Sequence, residues 1–154
     1  MMLVRFLITI LLFFALTDVY QTSTAYAFTF INFYTDSFED TFSYPKEGIV
    51  VIPNGKIKIS VVEEYSYNGK INLIELRAKY GLSLDGYENL SFTIFIFELD
   101  MDNYKYTILG YGDFDSNGNI LFSYVYKDKK WYFAEKDSPA RNLIDSIKNF
   151  YKST

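Results

Sequence analysis

The alternation of apolar and polar residues between Ser91 and Tyr126 predicts three antiparallel strands joined by two turn-rich clusters. In the first strand both faces are apolar, with Phe92, Ile94 and Ile96 on one and Phe95 and Phe97 on the other. Such a strand is typical of the centre of a sheet that is covered on both sides. We therefore expect this meander to form the middle of the fold.

Shorter patterns predict further strands at residues 28–34, 49–52, 56–67 and 131–133, whereas residues 36–44 are predicted to form a loop. Asn54-Gly55 predicts a hairpin turn, because both central positions of a type I′ turn favour φ > 0. The long strand alternates cleanly. Ile57, Ile59 and Val61 share one face, and Lys58, Ser60 and Glu64 share the other. This pattern indicates a half-buried strand.

Two segments change to a helical period. Residues 70–80 predict a short helix with the apolar stripe Ile71, Ile74 and Ala78, ended by Gly81. Residues 139–152 predict a longer helix capped by Asp137-Ser138. Its apolar stripe comprises Ala140, Leu143, Ile144, Ile147, Phe150 and Tyr151. The predicted class is α+β, a single antiparallel sheet of about six strands with a C-terminal amphipathic helix packed on it and one short inserted helix.

The first 27 residues predict a cleaved signal peptide. Arg5 precedes the apolar run Phe6–Leu16, and Ala25-Tyr-Ala27 matches an A-x-A cleavage site. The run is shorter than the roughly 20 residues that a membrane-spanning helix needs. We expect an exported domain over residues 28–154, without a membrane span after cleavage.

Composition excludes several classes of function. The chain has a net charge of −4 and no basic stripe, which argues against nucleic acid and anionic membrane surfaces as partners. It contains no Cys and no His, so disulfides, structural zinc sites and the usual nucleophilic triads are ruled out. We expect no cofactor.

Two acidic motifs carry weak chemical signals. Asp113-x-Asp115-x-Asn117-Gly118 copies the start of an EF loop, but Tyr124 stands where a bidentate Glu is needed. A hairpin turn is the favoured interpretation, and weak calcium binding stays open. Glu98, Asp100 and Asp102 alternate along a strand end, where a solvated end is favoured over an acid/base pair. Gly110-Tyr-Gly112 predicts a bulge or tight bend.

The candidate binding residues are aromatic and cluster in the last strands. They are Tyr104, Tyr106, Tyr124, Tyr126, Trp131 and Tyr132. Exposed on adjacent strands, they would form a protein-binding patch. The alternative is cross-strand packing beneath the helices.

The order of several short elements resembles the surface-adhesin protein E family of exported Gram-negative bacterial proteins. These elements are residues 81–89, 97–101, 104–106, 113–119, Trp131 and residues 137–139, and the resemblance covers Gly81 to Tyr151. It implies a small antiparallel sheet carrying a C-terminal helix, outside the cytoplasm. Some members are adhesins that bind host matrix or serum proteins, and a homodimer stays open. Family members often carry two Cys residues where this chain has Met101 and Phe150-Tyr151.

The leading hypothesis is an exported, non-enzymatic binding module that is adhesin-like at the cell surface, with a host matrix protein as partner. The alternative is a periplasmic inhibitor or accessory subunit that binds a bacterial protein. An enzyme ranks third and would require a buried carboxylate pair in a concave pocket.

Overall fold

The computed structural model describes residues 28–152, so the predicted signal peptide lies outside the described residues. The strands are β1 (Phe30–Thr35), β2 (Thr41–Pro45), β3 (Val50–Ile52), β4 (Lys56–Glu64), β5 (Leu90–Asp100), β6 (Lys105–Asp115), β7 (Ile120–Val125) and β8 (Tyr132–Phe133). The helices are α1 (Tyr67–Lys79) and α2 (Pro139–Lys152). None of the helices within residues 28–152 is long and apolar enough to cross a membrane.

All the described strands join one antiparallel sheet. Its main path runs β1-β2-β4-β5-β6-β7, while β3 pairs with β4 and β8 pairs with β6. Strand β5 is central and pairs along its length with β4 and β6. This confirms the predicted α+β class and the meander. The hairpin before β4 is confirmed as well, since Asn54 and Gly55 have φ values of 72° and 69°.

The prediction of a loop over residues 36–44 was wrong from Thr41 onwards, because β2 lies between β1 and β4. Tyr44 is completely buried, and its hydroxyl lies 3.1 Å from the Ser146 hydroxyl of α2. Thr, Phe and Tyr are all favoured in strands. The mixture of these residues with Ser and acidic residues gave no apolar–polar alternation, and the burial along β2 does not alternate either, since it increases towards Tyr44 and Pro45.

The main core lies between the sheet and α2. Its buried members are Tyr44, Ile57, Ile59, Val61, Leu99, Ala134, Ala140, Leu143, Ile144 and Ile147. The predicted stripe of α2 therefore faces the sheet, except that Tyr151 at its end is half exposed. The Ser138 hydroxyl caps the helix by accepting a hydrogen bond from the Arg141 N–H at 3.2 Å.

The opposite face of the sheet carries a second, smaller cluster of Val62, Phe92, Ile94 and Phe114. The rings of Phe92 and Phe114 stack at 5.0 Å. Ser60 and Val62 are buried, so β4 is not half-buried as its alternation predicted. A strand with partners along both edges loses exposure on both faces, even where one face carries polar residues.

Helix α1 begins at Tyr67, three residues before the prediction, because Ser66 caps it. The Ser66 hydroxyl accepts a hydrogen bond from the Gly69 N–H at 3.0 Å, and Gly81 follows the helix with φ 66°. The predicted stripe was wrong for Ile71 and Ala78, which are exposed, whereas Ile74 is partly buried. The buried residues of the helix are Gly69 and Arg77. Polar contacts of Arg77, not an apolar stripe, orient this helix.

Candidate functional site

An open groove crosses one face of the sheet between the two helices. Side chains alternate along β4, so Ile57, Ile59 and Val61, which contact α2, lie on the same face as Glu63. A cavity of about 400 Å³ lies against α1, and one of about 210 Å³ lies against α2. Both cavities are lined by Phe95 and Ile108, so they adjoin in the middle of the groove.

A row of aromatic rings follows this face. We call it the aromatic stripe; it comprises Phe95, Phe97, Tyr106, Tyr111, Phe122, Tyr124, Tyr126 and Tyr132. Ring centroids of neighbouring members lie between 5.0 and 6.5 Å apart. These distances are in the range for favourable aromatic pairs. Tyr124 and Tyr126 at one end of the stripe and Tyr132 at the other are each more than 40% exposed, so both ends face solvent.

A β-bulge in β6 keeps the stripe continuous. Ile96 pairs with Gly110 and Phe97 pairs with Ile108, so Leu109 is an extra residue in β6. Tyr106 and Tyr111 are an odd number of positions apart and would face opposite sides of a regular strand. The bulge places both on the groove face. The bulge expected near Gly110 is thus confirmed.

The six predicted binding residues divide into two groups. Tyr106, Tyr124, Tyr126 and Tyr132 belong to the aromatic stripe. Tyr104 lies between two cations of α2, with Arg141 and Lys148 each 3.6 Å from its ring centroid. Trp131 packs under the Lys56 ammonium at 4.3 Å. Tyr104 and Trp131 therefore support neighbouring elements rather than extend the stripe.

The cavity against α1 is acidic as well as aromatic. Four carboxylates line it, from Asp36, Asp40, Glu63 and Asp113. Among the described residues of its lining, Arg77 is the one cation. Asp36 and Asp40 come from the β1–β2 connection, Glu63 from β4 and Asp113 from β6. Sequence reasoning missed this cluster because it joins three separate segments.

Asp113 is fully engaged at the base of this cavity. One oxygen, Oδ1, accepts a hydrogen bond from the Thr93 hydroxyl at 2.7 Å. The other, Oδ2, accepts one from the Tyr87 hydroxyl and lies 3.7 Å from Nη1 of Arg77. Each oxygen of Asp113 therefore already has a partner within the described residues.

Arg77 is the second fixed member of this network. Its guanidinium stacks on the Tyr87 ring at 3.9 Å and donates to the Ser83 carbonyl at 3.0 and 3.2 Å. It is 5% exposed, and the carboxylate, carbonyl and aromatic partners compensate for its burial. Arg77 is therefore a structural cation that anchors α1 on the sheet.

Glu63 has a different environment. Its Oε2 accepts a hydrogen bond from the Tyr65 hydroxyl at 3.1 Å, and Oε1 has no hydrogen-bond partner among the described residues. Burial raises the pKa of Glu63 to about 7, against an opposing effect of the Tyr65 hydrogen bond. The charges of Asp40, Asp36 and Asp113 raise this pKa further. Glu63 thus gains or loses its proton near neutral pH.

Asp36 and Asp40 also line this cavity. Oδ1 of Asp36 accepts backbone N–H bonds from Phe38 and Asp40, each at 2.9 Å. Oδ1 of Asp40 accepts one from Ser66 at 2.7 Å, just before α1. In each residue, Oδ2 has no hydrogen-bond partner within residues 28–152. The two loops and the start of α1 are held together by these carboxylates.

The acidic motifs seen in the sequence do not come together. Asp115 closes the β6–β7 hairpin by accepting backbone bonds from Asn117 and Asn119 at 2.8 Å, while Asp113 belongs to the buried network. No group of three or more potential ligands that could hold a metal ion occurs within residues 28–152. Glu98 is buried and paired with Lys129, and Asp100 is bonded to Asn103.

Comparison with protein-family models, with curated proteins and with solved structures found no match.

Proposed function

We propose that this chain is an exported, non-enzymatic binding module that holds a protein partner along the aromatic stripe. The observation that carries the proposal is the continuity of the stripe across a groove between two helices. Rows of exposed aromatic side chains are enriched where proteins bind one another, because each ring offers large area at low entropic cost. Contiguous exposed apolar patches rimmed by polar residues mark interaction sites in many proteins.

The position of the stripe favours an elongated partner segment. Helices α1 and α2 border the groove, and its floor is the sheet itself. An extended segment of a partner fits between such walls, with alternate side chains directed to the floor. The exposed strand β7 lies at one end of the main sheet path and pairs there with β6 alone.

Binding to a panel of purified extracellular-matrix proteins tests this proposal. The variant Tyr124→Ser/Tyr126→Ser removes one exposed end of the stripe, and we expect it to weaken binding about tenfold or more. Tyr67→Ser is the matched control, because Tyr67 is 78% exposed on α1 and lies outside the stripe. Equal binding by the double variant and the native chain would refute the stripe as the contact surface.

The cellular location of the protein is part of the proposal. The signal-peptide pattern and the resemblance to the surface-adhesin protein E family both favour export, and an antiparallel sheet carrying a C-terminal helix is the architecture that this resemblance implies. Cell fractionation separates the two versions of the hypothesis. Material on the cell surface supports an adhesin-like role. Material confined to the periplasm supports an inhibitor or accessory subunit with a bacterial partner.

One observation favours an enzyme as the second candidate. Glu63 has a pKa of about 7 and lines an open cavity that also contains Asp113. General acid/base catalysis by a carboxylate pair needs two carboxylates that can reach a substrate, and Asp113 is occupied by Thr93, Tyr87 and Arg77. Hydrolysis of a panel of chromogenic glycosides, lost in Glu63→Gln, would support the enzyme instead.

A further inference from the structure

We propose that the acidic end of the groove, formed by Asp36, Asp40 and Glu63, binds a lysine side chain of the partner protein. This inference rests on the proposed function, because it names the chemistry of the segment that lies along the aromatic stripe. It assigns the cavity against α1 to a positively charged side chain and leaves the cavity against α2 to apolar ones.

The charges of the cavity give the first argument. Arg77 is paired with Asp113, so these two groups offset each other. The carboxylates of Asp36, Asp40 and Glu63 remain, and the described lining supplies no second cation. Carboxylates gathered around a partly buried space repel one another, and a bound cation relieves that repulsion.

The open acceptor atoms give the second argument. Among the carboxylates that line the cavity, Oε1 of Glu63, Oδ2 of Asp36 and Oδ2 of Asp40 are the oxygens without a hydrogen-bond partner within residues 28–152. They come from three different residues rather than from one carboxylate. An ammonium group has three rotatable donors, whereas a guanidinium is a planar fork that suits two oxygens of one carboxylate. This arrangement favours lysine over arginine.

The walls of the cavity give the third argument. Tyr65, Tyr111 and Tyr126 line it together with Leu73 and Leu76 of α1. Aromatic faces attract cations, and apolar walls contact the methylene stem of a long charged side chain. The volume of about 400 Å³ is large enough for such a side chain. A bare metal ion gains nothing from these apolar walls.

Binding of an ammonium depends on the charge of Glu63. The charged and titratable groups that surround it are Tyr65 just after β4, Asp36 and Asp40 before β2, Tyr111 and Asp113 on β6, Arg77 on α1, Tyr80 just after α1, and Tyr126 after β7. Glu63 itself changes charge near neutral pH, since its pKa is about 7. The ionised fraction of Glu63 falls about tenfold between pH 8 and pH 6, so affinity for an ammonium falls by a similar factor.

A titration with two matched peptides tests the inference. The probe is acetyl-Val-Ser-Lys-Ser-Val-amide, and its control carries norleucine in place of lysine. Backbone amide shifts of the purified protein are followed at pH 6 and pH 8. We expect the lysine peptide to shift Glu63, Tyr65 and Tyr111 and to bind about tenfold more weakly at pH 6. Equal binding of the norleucine peptide would overturn the inference.

Glu63→Gln and Glu64→Gln form a matched pair of variants. Glu64 is the next residue of β4, and it is exposed on the other face of the sheet. We expect Glu63→Gln to weaken the lysine peptide about tenfold at pH 8 and to remove the pH dependence, while Glu64→Gln changes neither. Asp36→Asn provides a second variant with the same expected direction. Native-like affinity in Glu63→Gln and Asp36→Asn would overturn the inference.

The same variants separate this inference from the proposed function. If a matrix protein binds through Tyr124 and Tyr126 but binds Glu63→Gln equally well, the lysine assignment is refuted and the protein-binding proposal stands. If the lysine peptide binds as described but the matrix proteins fail to bind, the cavity assignment stands. The adhesin-like proposal then falls.

Discussion

At the residue scale, Glu63 is a partly buried carboxylate that forms no salt bridge with a cation within residues 28–152. Its neighbour Asp113 shares the cavity but keeps Arg77, Tyr87 and Thr93 as partners. The two residues show why composition alone predicts little here. From the sequence alone, an acidic residue in a strand looks the same whether its carboxylate is exposed or burial raises its pKa towards neutrality.

Replacing Glu63 changes how stability depends on pH. The pKa of Glu63 rises from 4.5 to about 7 on folding, so the folded state binds the proton more tightly than the unfolded state. Glu63 therefore lowers the free energy of unfolding as pH rises from about 4.5 to about 7, by at most about 3 kcal/mol. We expect Glu63→Gln to remove this decline, measured by urea unfolding at pH 5 and pH 8. Glu64→Gln should keep it, and parallel pH profiles for native chain and Glu63→Gln would contradict the prediction.

Gly69 is needed where Asp40 meets α1. A Cβ on Gly69 would lie 1.9 and 2.0 Å from the two carboxylate oxygens of Asp40, which accepts the Ser66 N–H. Alanine is normally the better helix former, yet we expect Gly69→Ala to lower the free energy of unfolding by about 2 kcal/mol. Asn68→Ala, at an exposed neighbouring position, should change it by less than about 0.5 kcal/mol. A Gly69→Ala chain as stable as the native one in urea unfolding would disprove this role.

At the scale of elements, the two helices show where periodicity is a reliable guide. The stripe of α2 is strongly apolar, and burial of Leu143, Ile144 and Ile147 follows it directly. Helix α1 has no such dominant stripe. Its orientation is set by Arg77 and Gly69, which contact side chains from distant parts of the chain, and no local pattern predicts such contacts. Strand β2 was missed for a related reason. Its pairing with β1 and β4 defines it as a strand, and its own residues do not show that pairing.

The packing of α2 predicts that substitutions one turn apart will differ strongly in their effect on the free energy of unfolding. Ile147 is completely buried in the main core, and Tyr151 one turn later is 49% exposed. We expect Ile147→Ala to lower the free energy of unfolding by about 2–5 kcal/mol, because it leaves a cavity among close-packed side chains. Tyr151→Ala should cost less than about 1 kcal/mol. Urea unfolding measures both, and similar losses for the two variants would show that α2 does not supply the core.

At the scale of the whole molecule, the sequence predicted the class, the meander and the terminal helix, because these depend on local alternation and helical spacing. It also identified four members of the aromatic stripe. It did not predict the groove, since that depends on how two helices divide one face of the sheet. The acidic end of the groove was missed as well. Its carboxylates come from segments that are up to 27 positions apart, from Asp36 to Glu63.

The additional residue Leu109 makes the aromatic face sensitive to chain length rather than to side-chain identity. Deleting it would turn Tyr106 and Tyr111 to opposite sides and divide the aromatic row, although no aromatic residue would be lost. Exchanging Leu109 for another residue keeps the row intact. Chains that share this architecture should therefore be compared by the number of residues between those two tyrosines, because a one-residue gap there would divide the row even where sequence identity is high.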